Sequence, residues 1–268
     1  MYGVIDGLLQ RAELATISVL DQGFLRGDGA FEVLLVYGGR PFAADLHLDR
    51  LERSCAALRL PCPRDLIERD LTSLVATSSK ATYAVRIVLT RAGRRIVLTE
   101  AWSPPPKPSR LWVVPNHQQP LLAGVKSLSY AANMLSRRLA REQGYDDALW
   151  VSADGCVLEA QTAAFFWVSS RGELCTPPLS EPILDSITRR LVMEQVNVLE
   201  RRCPRPEVLD CREAFLTGTT KEIQPVASID ARQLSEVPGP ATKRAIEAYR
   251  RLIVAEARRG TTELALRD

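Results

Sequence analysis

The chain has few of the residues that build metal sites and disulfide frameworks. Its six cysteines, at positions 55, 62, 156, 175, 203 and 211, include no Cys-x-x-Cys pair, and His47 and His117 are far apart. This spacing argues against both a zinc site and a disulfide framework, so we expect no bound metal. No run approaches the roughly twenty apolar residues of a membrane span, and no basic start precedes an apolar stretch at the N-terminus. We therefore expect a cytoplasmic protein without a membrane partner.

Lysine is scarce as well, with five lysines beside thirty arginines among the 35 basic residues. The net charge is only +3, and acids are interleaved with the arginines. A nucleic-acid interface needs a basic stripe with aromatic platforms, and only the segment 91–95 comes close to one. We therefore expect no nucleic-acid partner. The length of 268 residues, 46% hydrophobic and 25% charged, predicts a globular protein of two lobes.

Hydrophobic patterns predict an α/β chain of mixed α+β character. We expect a small N-terminal α/β lobe over 1–114, a connection over 115–124, where prolines and polar residues cluster, and a larger lobe over 125–268. In the first lobe we predict strands at 30–37, 82–90, 96–102 and 111–114, a helix capped by Asp45, and a helix over 64–77. In the second we predict helices over 129–142, 185–199 and 241–258, with strands at 148–152, 156–159, 163–169 and 214–217. Their short links favour a mainly antiparallel sheet.

Lys126 lies in an apolar, glycine-containing run, Pro120 to Tyr130, where a solvated charge would not belong. Desolvation disfavours an ammonium ion, and the free amine is nucleophilic enough to form a Schiff base. The alternative is a lysine at a strand end whose stem covers apolar surface.

Two segments of the second half are candidates for binding a phosphate. Ser186 can cap a helix whose first N–H groups, at Ile187 and Thr188, favour an anion. In the segment 217–220, the hydroxyls of Thr219 and Thr220 and a flexible backbone can contact further oxygens. Neither segment is a Gly-rich nucleotide loop, so one phosphate fits better than a nucleoside triphosphate.

Two charged residues have both a functional and an ordinary interpretation. Glu159 lies at the end of an apolar strand, where a carboxylate needs a cationic partner. That partner is either a protonated pyridine nitrogen or an arginine. Arg50 is expected to lie off the apolar stripe of its helix. Its guanidinium either binds a phosphate through two N–H groups or is solvated. An amine, a carboxylate and two anion sites together match the needs of pyridoxal 5′-phosphate.

Six blocks of the sequence occur in the order seen in the fold-type IV pyridoxal-phosphate enzymes, which the chain resembles over nearly its whole length. The blocks are Arg26-Gly27-Asp28-Gly29-Ala30-Phe31-Glu32, His47-Leu48-Asp49-Arg50-Leu51, Lys126-Ser127-Leu128-Ser129-Tyr130, Val157-Leu158-Glu159-Ala160, Ser186-Ile187-Thr188-Arg189 and Gly218-Thr219-Thr220-Lys221-Glu222-Ile223-Gln224-Pro225-Val226. That family includes branched-chain and D-amino acid aminotransferases, R-selective amine transaminases and 4-amino-4-deoxychorismate lyases.

The resemblance implies a role for each matching residue. Lys126 would be the Schiff-base lysine, Glu159 the partner of the pyridine nitrogen, and Tyr130 a neighbour of the phenolic oxygen. The phosphate would be held by Arg50, Ser186, Ile187, Thr188, Thr219 and Thr220. The resemblance also implies a homodimer, with the cofactor between the lobes and a barrel-like sheet in the larger lobe.

Substrate residues are less well indicated. The resemblance places Arg26 in the substrate pocket of the neighbouring subunit, and Phe31 and Arg86 along the substrate. Two arginines suit a carboxylate, although Arg26 can also be a turn residue and Arg86 an outward strand position. The Arg-x-His of D-amino acid aminotransferases is absent, and branched-chain enzymes usually carry tyrosine at the position of Arg26.

We therefore predict an aminotransferase that moves an amino group between an amino acid or amine and a 2-keto acid. The alternative activity is a 4-amino-4-deoxychorismate lyase that releases pyruvate. A third possibility, a non-catalytic arginine-rich binding protein, requires Lys126 to be replaceable without loss of function.

Overall fold

The computed structural model describes residues 1–77, 82–105, 107–115 and 120–265. The helices are α1 (Gln22–Arg26), α2 (Ala44–Leu58), α3 (Arg64–Ala76), α4 (Ala131–Glu142), α5 (Ile187–Gln195), α6 (Arg205–Asp210) and α7 (Pro240–Ala265). The strands are β1 (Tyr2–Ile5), β2 (Leu8–Arg11), β3 (Gly29–Tyr37), β4 (Arg40–Pro41), β5 (Tyr83–Thr90), β6 (Arg95–Glu100), β7 (Ser109–Pro115), β8 (Asp147–Val151), β9 (Cys156–Ala160), β10 (Ala164–Val168), β11 (Leu174–Thr176), β12 (Leu199–Glu200), β13 (Cys203–Pro204), β14 (Ala214–Gly218), β15 (Glu222–Ile229) and β16 (Arg232–Gln233).

Contacts along the chain divide it into two compact units. The first contains Met1–Ser103, Val125–Tyr130 and Leu252–Asp268, and the second contains Pro104–Gly124 and Ala131–Arg251. This division differs from the expected boundaries at three points. Strand β7 pairs within the second unit, whereas the segment that carries Lys126 and the end of α7 from Leu252 belong to the first.

The first unit is built on a six-stranded antiparallel sheet in the order β2-β1-β6-β5-β3-β4. Helices α2 and α3 cover one face, where Leu34 and Val36 of β3 pack against Leu48, Leu51 and Cys55. These three helical residues form the apolar stripe that their spacing predicts. Gly38 and Gly39 form the turn after β3, and both adopt the positive φ that this turn requires.

The start of α2 differs from the prediction that Asp45 caps it. The helix begins at Ala44, and its N-cap residue is Ala43, which has a left-handed φ of 52° and forms no side-chain cap. Asp45 instead lies in the first turn. There its charge is favourable to the positive end of the helix dipole, which explains why an acid stands at this position without capping the helix.

The second unit is built on a ten-stranded sheet in the order β12-β11-β10-β14-β15-β7-β8-β9-β13, with β16 paired to β15. The pairs β12–β11, β15–β7 and β7–β8 are parallel and the others are antiparallel. Phe165, Trp167 and Leu216 are fully buried in its main core. The predicted fold class, a mixed α/β protein whose larger lobe has a mainly antiparallel, barrel-like sheet, is confirmed.

Within the described ranges, no helix combines the length and apolar character needed to cross a membrane. In the same part of the chain, no group of three or more His, Cys, Asp or Glu side chains is placed to hold a metal ion. All six cysteines are free. The cytoplasmic location stays a prediction.

Candidate active site

Lys126 lies in the extended segment Val125–Tyr130 of the first unit, beside the start of β3. Its N–H donates to Ser54 Oγ on α2 at 3.2 Å. Its carbonyl accepts a hydrogen bond from the N–H of Phe31 at 3.0 Å. Because both backbone groups are bonded to different elements, the side chain of Lys126 leaves the backbone from a fixed position.

The Lys126 amine lies over two aromatic rings. Its Nζ is 4.3 Å from the centroid of the Phe31 ring and 5.9 Å from that of Tyr130. The two rings meet edge to face, with centroids 5.2 Å apart. The side chain is half-buried. An ammonium group held against ring faces is attracted by about 0.5–2 kcal/mol, depending on its desolvation. This setting matches the sheltered lysine expected from the apolar run.

Arg86 shares the Phe31 ring with Lys126. The Arg86 Cζ is 5.2 Å from the ring centroid, and its Nε and Nη2 donate to Glu100 at 2.5 and 3.1 Å. Arg86 is one-third exposed. Three predicted residues, Lys126, Phe31 and Arg86, therefore meet on one face of the first sheet, with Tyr130 beside them.

Arg50 is not the solvent-facing residue that its position off the stripe predicts. It is 5% exposed, and its Nε and Nη2 donate to the Glu32 carboxylate at 2.7 and 2.8 Å. His47, one turn earlier on α2, is 2.8 Å from the same carboxylate through Nδ1. The prediction missed Glu32 because a buried acid within β3 requires a partner that lies far along the chain. An acid within a nearly continuous apolar strand indicates a buried cationic partner, and this pattern could have predicted the pair.

Two pKa values in this buried group are shifted downward. Burial alone raises the pKa of Glu32, but the Arg50 charge and the hydrogen bonds from Arg50 and His47 outweigh it and hold this pKa well below its usual range. Burial lowers the pKa of His47 and outweighs the opposing hydrogen bond to Glu32; the Arg50 and Lys126 charges lower it further. The imidazole is therefore neutral at neutral pH, close enough to Lys126 to respond to its charge.

Arg26 is the last residue of α1 and is exposed. Asp21 caps this helix through a hydrogen bond from the N–H of Gly23, and Gly27 ends it with a φ of 67°. The Arg26 guanidinium donates to the side chain of Gln22, one turn earlier. Within the first unit, Arg26 stays at the surface.

In the second unit, α5 begins as the sequence predicts. Ser186 is its N-cap residue, and the Ser186 Oγ accepts a hydrogen bond from the N–H of Arg189 at 3.3 Å. The N–H groups of Ile187 and Thr188 have no partner within the helix, because the first turn offers none. The side chains of Ile187 and Thr188 are both 2% exposed. Free N–H groups at a helix end are of the kind that can bind an anion.

Glu159 is joined to the chain that leads into α5. Its Oε1 accepts a hydrogen bond from the N–H of Leu184 at 3.1 Å, and Leu184 lies two residues before Ser186. The carboxylate is half-buried at the end of β9. The structure thus brings Glu159 close to the phosphate-binding candidate of the same unit.

The turn 218–220 follows β14, the strand against which α5 packs. A Cβ added to Gly218 would lie 3.1 Å from the carbonyl oxygen of Thr162, so the turn has little room for a side chain. The Thr217 hydroxyl is buried without a hydrogen-bond partner among the described residues. A buried, unpaired hydroxyl next to this turn is a further donor for an anion.

Tyr249 on α7 connects the two candidate segments. Its hydroxyl forms a hydrogen bond with the side chain of Thr188 and lies near the charge of Glu222, which follows the turn. Burial raises the pKa of the Tyr249 phenol well above its usual value. The sequence analysis predicted a helix over 241–258, and the polar contact of Tyr249 is a finding of the structure.

The fold and the family match identify a pyridoxal-phosphate-dependent transaminase. The chain belongs to amino-transferase class IV, whose family model matches residues 29–229. The family uses pyridoxal 5′-phosphate, which is therefore the cofactor of this enzyme.

Three similar proteins agree with this assignment. The chain is 29% identical to a D-alanine aminotransferase of Bacillus licheniformis, over 93% of this chain and 95% of the other. It is 31% identical to a putative branched-chain-amino-acid aminotransferase of Methanocaldococcus jannaschii, over 88% and 91%. The PLP-bound structure of a hypothetical aminotransferase from Mycobacterium tuberculosis superimposes with a TM-score of 0.87 and 25% identity, over 96% and 100%.

The residues present suit this cofactor. A phosphate monoester needs several N–H and hydroxyl donors, and the α5 N-terminus, the turn 218–220 and the Thr217 hydroxyl offer them. A protonated ring nitrogen needs a carboxylate, and Glu159 is one. An aldehyde needs an amine, and Lys126 of the first unit could supply one. The two units therefore carry groups of the kinds that pyridoxal 5′-phosphate requires.

Proposed function

We propose that this transaminase transfers the amino group of an amino acid or amine to a 2-keto acid, with Lys126 as the Schiff-base lysine. The placement of Lys126 carries the proposal. Ser54 and Phe31 fix its backbone, and its Nζ lies 4.3 Å from the centroid of the Phe31 ring. Pyridoxal phosphate supplies the electron storage that this chemistry requires. Lys126 Nζ removes the proton from the substrate's α-carbon and later returns it.

Each end of the cofactor has its own binding residues in this proposal. Glu159 would keep the pyridine nitrogen protonated, and Tyr130 would bind near the phenolic oxygen. The phosphate would be held by Arg50, Ser186, Ile187, Thr188, Thr219 and Thr220. The burial of Ile187 and Thr188 supports this assignment, because N–H groups shielded from water bind an anion more strongly.

A carboxylate is the substrate group that the arginines favour. Arg86 offers a guanidinium beside Phe31, next to the Lys126 amine. Phe31 would contact the substrate, and Arg26 would contribute from the neighbouring subunit. We therefore propose a substrate with an α-carboxylate, and we regard the D-alanine and branched-chain activities of the relatives as the first to test. The lyase alternative is not favoured, since these relatives are aminotransferases.

We also propose that the protein is a homodimer. Within the short stretch 14–25, six large apolar side chains are more than 40% exposed in the single chain. They are Leu14, Ile17, Val19, Leu20, Phe24 and Leu25. Contiguous apolar surface of this kind marks an association site. The stretch includes most of α1, so its burial by a second copy would bring Arg26 to that interface.

Spectroscopy with single substrates tests the proposed function. The purified protein is mixed with L-alanine, D-alanine, L-leucine or D-leucine, and its visible and near-ultraviolet absorption is recorded. We expect one set to convert the cofactor to its amino form, with a return to the original spectrum when a 2-keto acid is added. If none of a broader set of amino acids and primary amines changes the spectrum, the transaminase proposal is wrong. The lyase assay, pyruvate release from aminodeoxychorismate, then follows.

A further inference from the structure

Arg189, the third residue of α5, is among the most buried arginines of the second unit, being 2% exposed. Its Nε donates to Thr176 Oγ1 at 3.3 Å and its Nη2 to the carbonyl oxygen of Pro177 at 2.9 Å. The same Nη2 pairs with the Glu200 carboxylate of β12. The guanidinium is therefore bound to residues of β11, β12 and the chain after β11, whereas the backbone N–H of Arg189 donates to the helix cap at Ser186.

These contacts tie the first turn of α5 to two strands. Thr176 ends β11, where it pairs in register with Glu200 of β12. The planar guanidinium needs its acceptors at fixed angles, and a lysine ammonium cannot reproduce that arrangement. A buried charge that loses its partners is costly, so Arg189 stays bound to them. The rotation of the first turn, and with it the direction of the Ile187 and Thr188 N–H groups, is set by this attachment.

We propose that Arg189 is a positioning residue for the cofactor phosphate, acting through the N-terminus of α5 and not through its own charge. The inference rests on the proposed binding of the phosphate at this helix end. Glu200 neutralises the guanidinium, so the pair adds little net charge to the site. The Arg189 guanidinium bonds to Thr176, Pro177 and Glu200, which lie outside the other phosphate segment with Thr219 and Thr220.

Affinities for two forms of the cofactor show whether Arg189 positions the phosphate-binding end of α5 or only stabilises the second unit. Cofactor-free protein is titrated with pyridoxal 5′-phosphate and, separately, with pyridoxal, which lacks the phosphate. For Arg189→Lys we expect the Kd of pyridoxal phosphate to rise by about tenfold or more, while that of pyridoxal changes by less than about twofold. Equal weakening of both ligands would mean that Arg189 only stabilises the unit, which overturns the proposal.

Glu200→Gln keeps the test valid if Arg189→Lys does not fold, because Glu200 is 42% exposed and easier to replace. This variant removes a negative charge from the neighbourhood of the phosphate. A purely electrostatic effect would therefore tighten pyridoxal phosphate, whereas loss of positioning weakens it. We expect weakening, again without a change for pyridoxal; tighter binding contradicts the proposal.

Arg201→Lys is the matched control. Arg201 also lies in the second unit and donates to a glutamate, Glu207, but it belongs to no part of α5. We expect the ratio of the two Kd values, for pyridoxal and for pyridoxal phosphate, to be the same in Arg201→Lys as in the parent.

Ser186→Ala and Thr188→Ala test whether the phosphate binds at the N-terminus of α5. If both leave the pyridoxal phosphate Kd unchanged, the proposed phosphate site and this inference both fail. If they weaken it while the Arg189 and Glu200 variants do not, only this inference fails.

Discussion

The carboxylate of Glu32 accepts hydrogen bonds from Nε and Nη2 of Arg50 at 2.7 and 2.8 Å, and both side chains are buried. The pair joins strand β3 to helix α2, and the two residues are 18 positions apart in the chain. Ser54, one turn after Arg50 on the same helix, accepts a hydrogen bond from the N–H of Lys126. The helix that the pair anchors to the sheet is therefore also the helix that contacts the backbone of Lys126.

Glu32→Gln should destabilise the protein, because it leaves the Arg50 charge buried without its anion. We expect the free energy of unfolding to fall by about 3–5 kcal/mol, measured by urea denaturation of cofactor-free protein. Glu13→Gln is the control, since Glu13 pairs with Arg11 at the surface and should change stability little. A loss for Glu32→Gln as small as that of the control would contradict the role given to this pair.

Acid should destabilise the folded protein in part through His47. In the unfolded chain this histidine has a pKa of about 6.5, and in the folded chain burial lowers it. Below about pH 6.5 the unfolded state therefore binds a proton that the folded state does not, so stability falls as the pH drops toward the lowered pKa. Glu32 acts in the same direction at lower pH, because its folded pKa is also depressed.

Urea titrations between pH 8 and about pH 5 check this sign. The variant His47→Asn lacks the titrating group, and its stability should depend less on pH over this window. His117 is common to both proteins, so its contribution cancels in the comparison. If the parent and the variant lose stability in parallel, His47 does not have the assigned pKa shift.

Ser186 and Glu32 differ in how far the sequence could predict them. The helix cap at Ser186 depends on residues only three positions apart, and it was predicted correctly. The Glu32–Arg50 pair depends on a strand and a helix packing together, and the helical spacing alone placed Arg50 at the surface. A local rule describes the first case, whereas the second needs the tertiary fold.

Strand β15 shows the same limit. It was not predicted, since Pro225 lies within it and proline normally argues against a sheet interior. In the structure Pro225 pairs opposite Phe215, and β15 connects β14 to β7. The pairing of β7 with so distant a segment also explains why the expected first lobe, 1–114, extended past the end of the first unit's main segment at Ser103.

Arg86→Met should weaken substrate binding if Arg86 binds a carboxylate. A hydrogen-bonded charge contact is worth about 1.5–3 kcal/mol, so we expect the KM for the 2-keto acid to rise by about tenfold or more. Arg94→Met is a matched control, because Arg94 is similarly exposed and precedes β6 of the same hairpin. Steady-state kinetics check the prediction, and an unchanged KM for Arg86→Met would remove Arg86 from the substrate site.

Phe24→Asp should disrupt the proposed homodimer. Phe24 is 65% exposed within the apolar stretch 14–25, and a charge there would be costly to bury against a second copy. Size-exclusion chromatography with light scattering should give a monomer for this variant. Leu121→Asp, at a residue 92% exposed outside this stretch, should keep the parent mass. A dimeric Phe24→Asp protein would argue against this surface.

Identification of the residue that carries the cofactor tests the central claim most directly. The purified protein is reduced with borohydride and digested, and the peptide that has gained the mass of the reduced cofactor is sequenced by mass spectrometry. We predict that Lys126 carries it, and that Lys126→Ala carries none and does not transaminate. Attachment at Lys80, Lys107, Lys221 or Lys243, or a Lys126→Ala variant that turns over at the parent rate, would contradict the account.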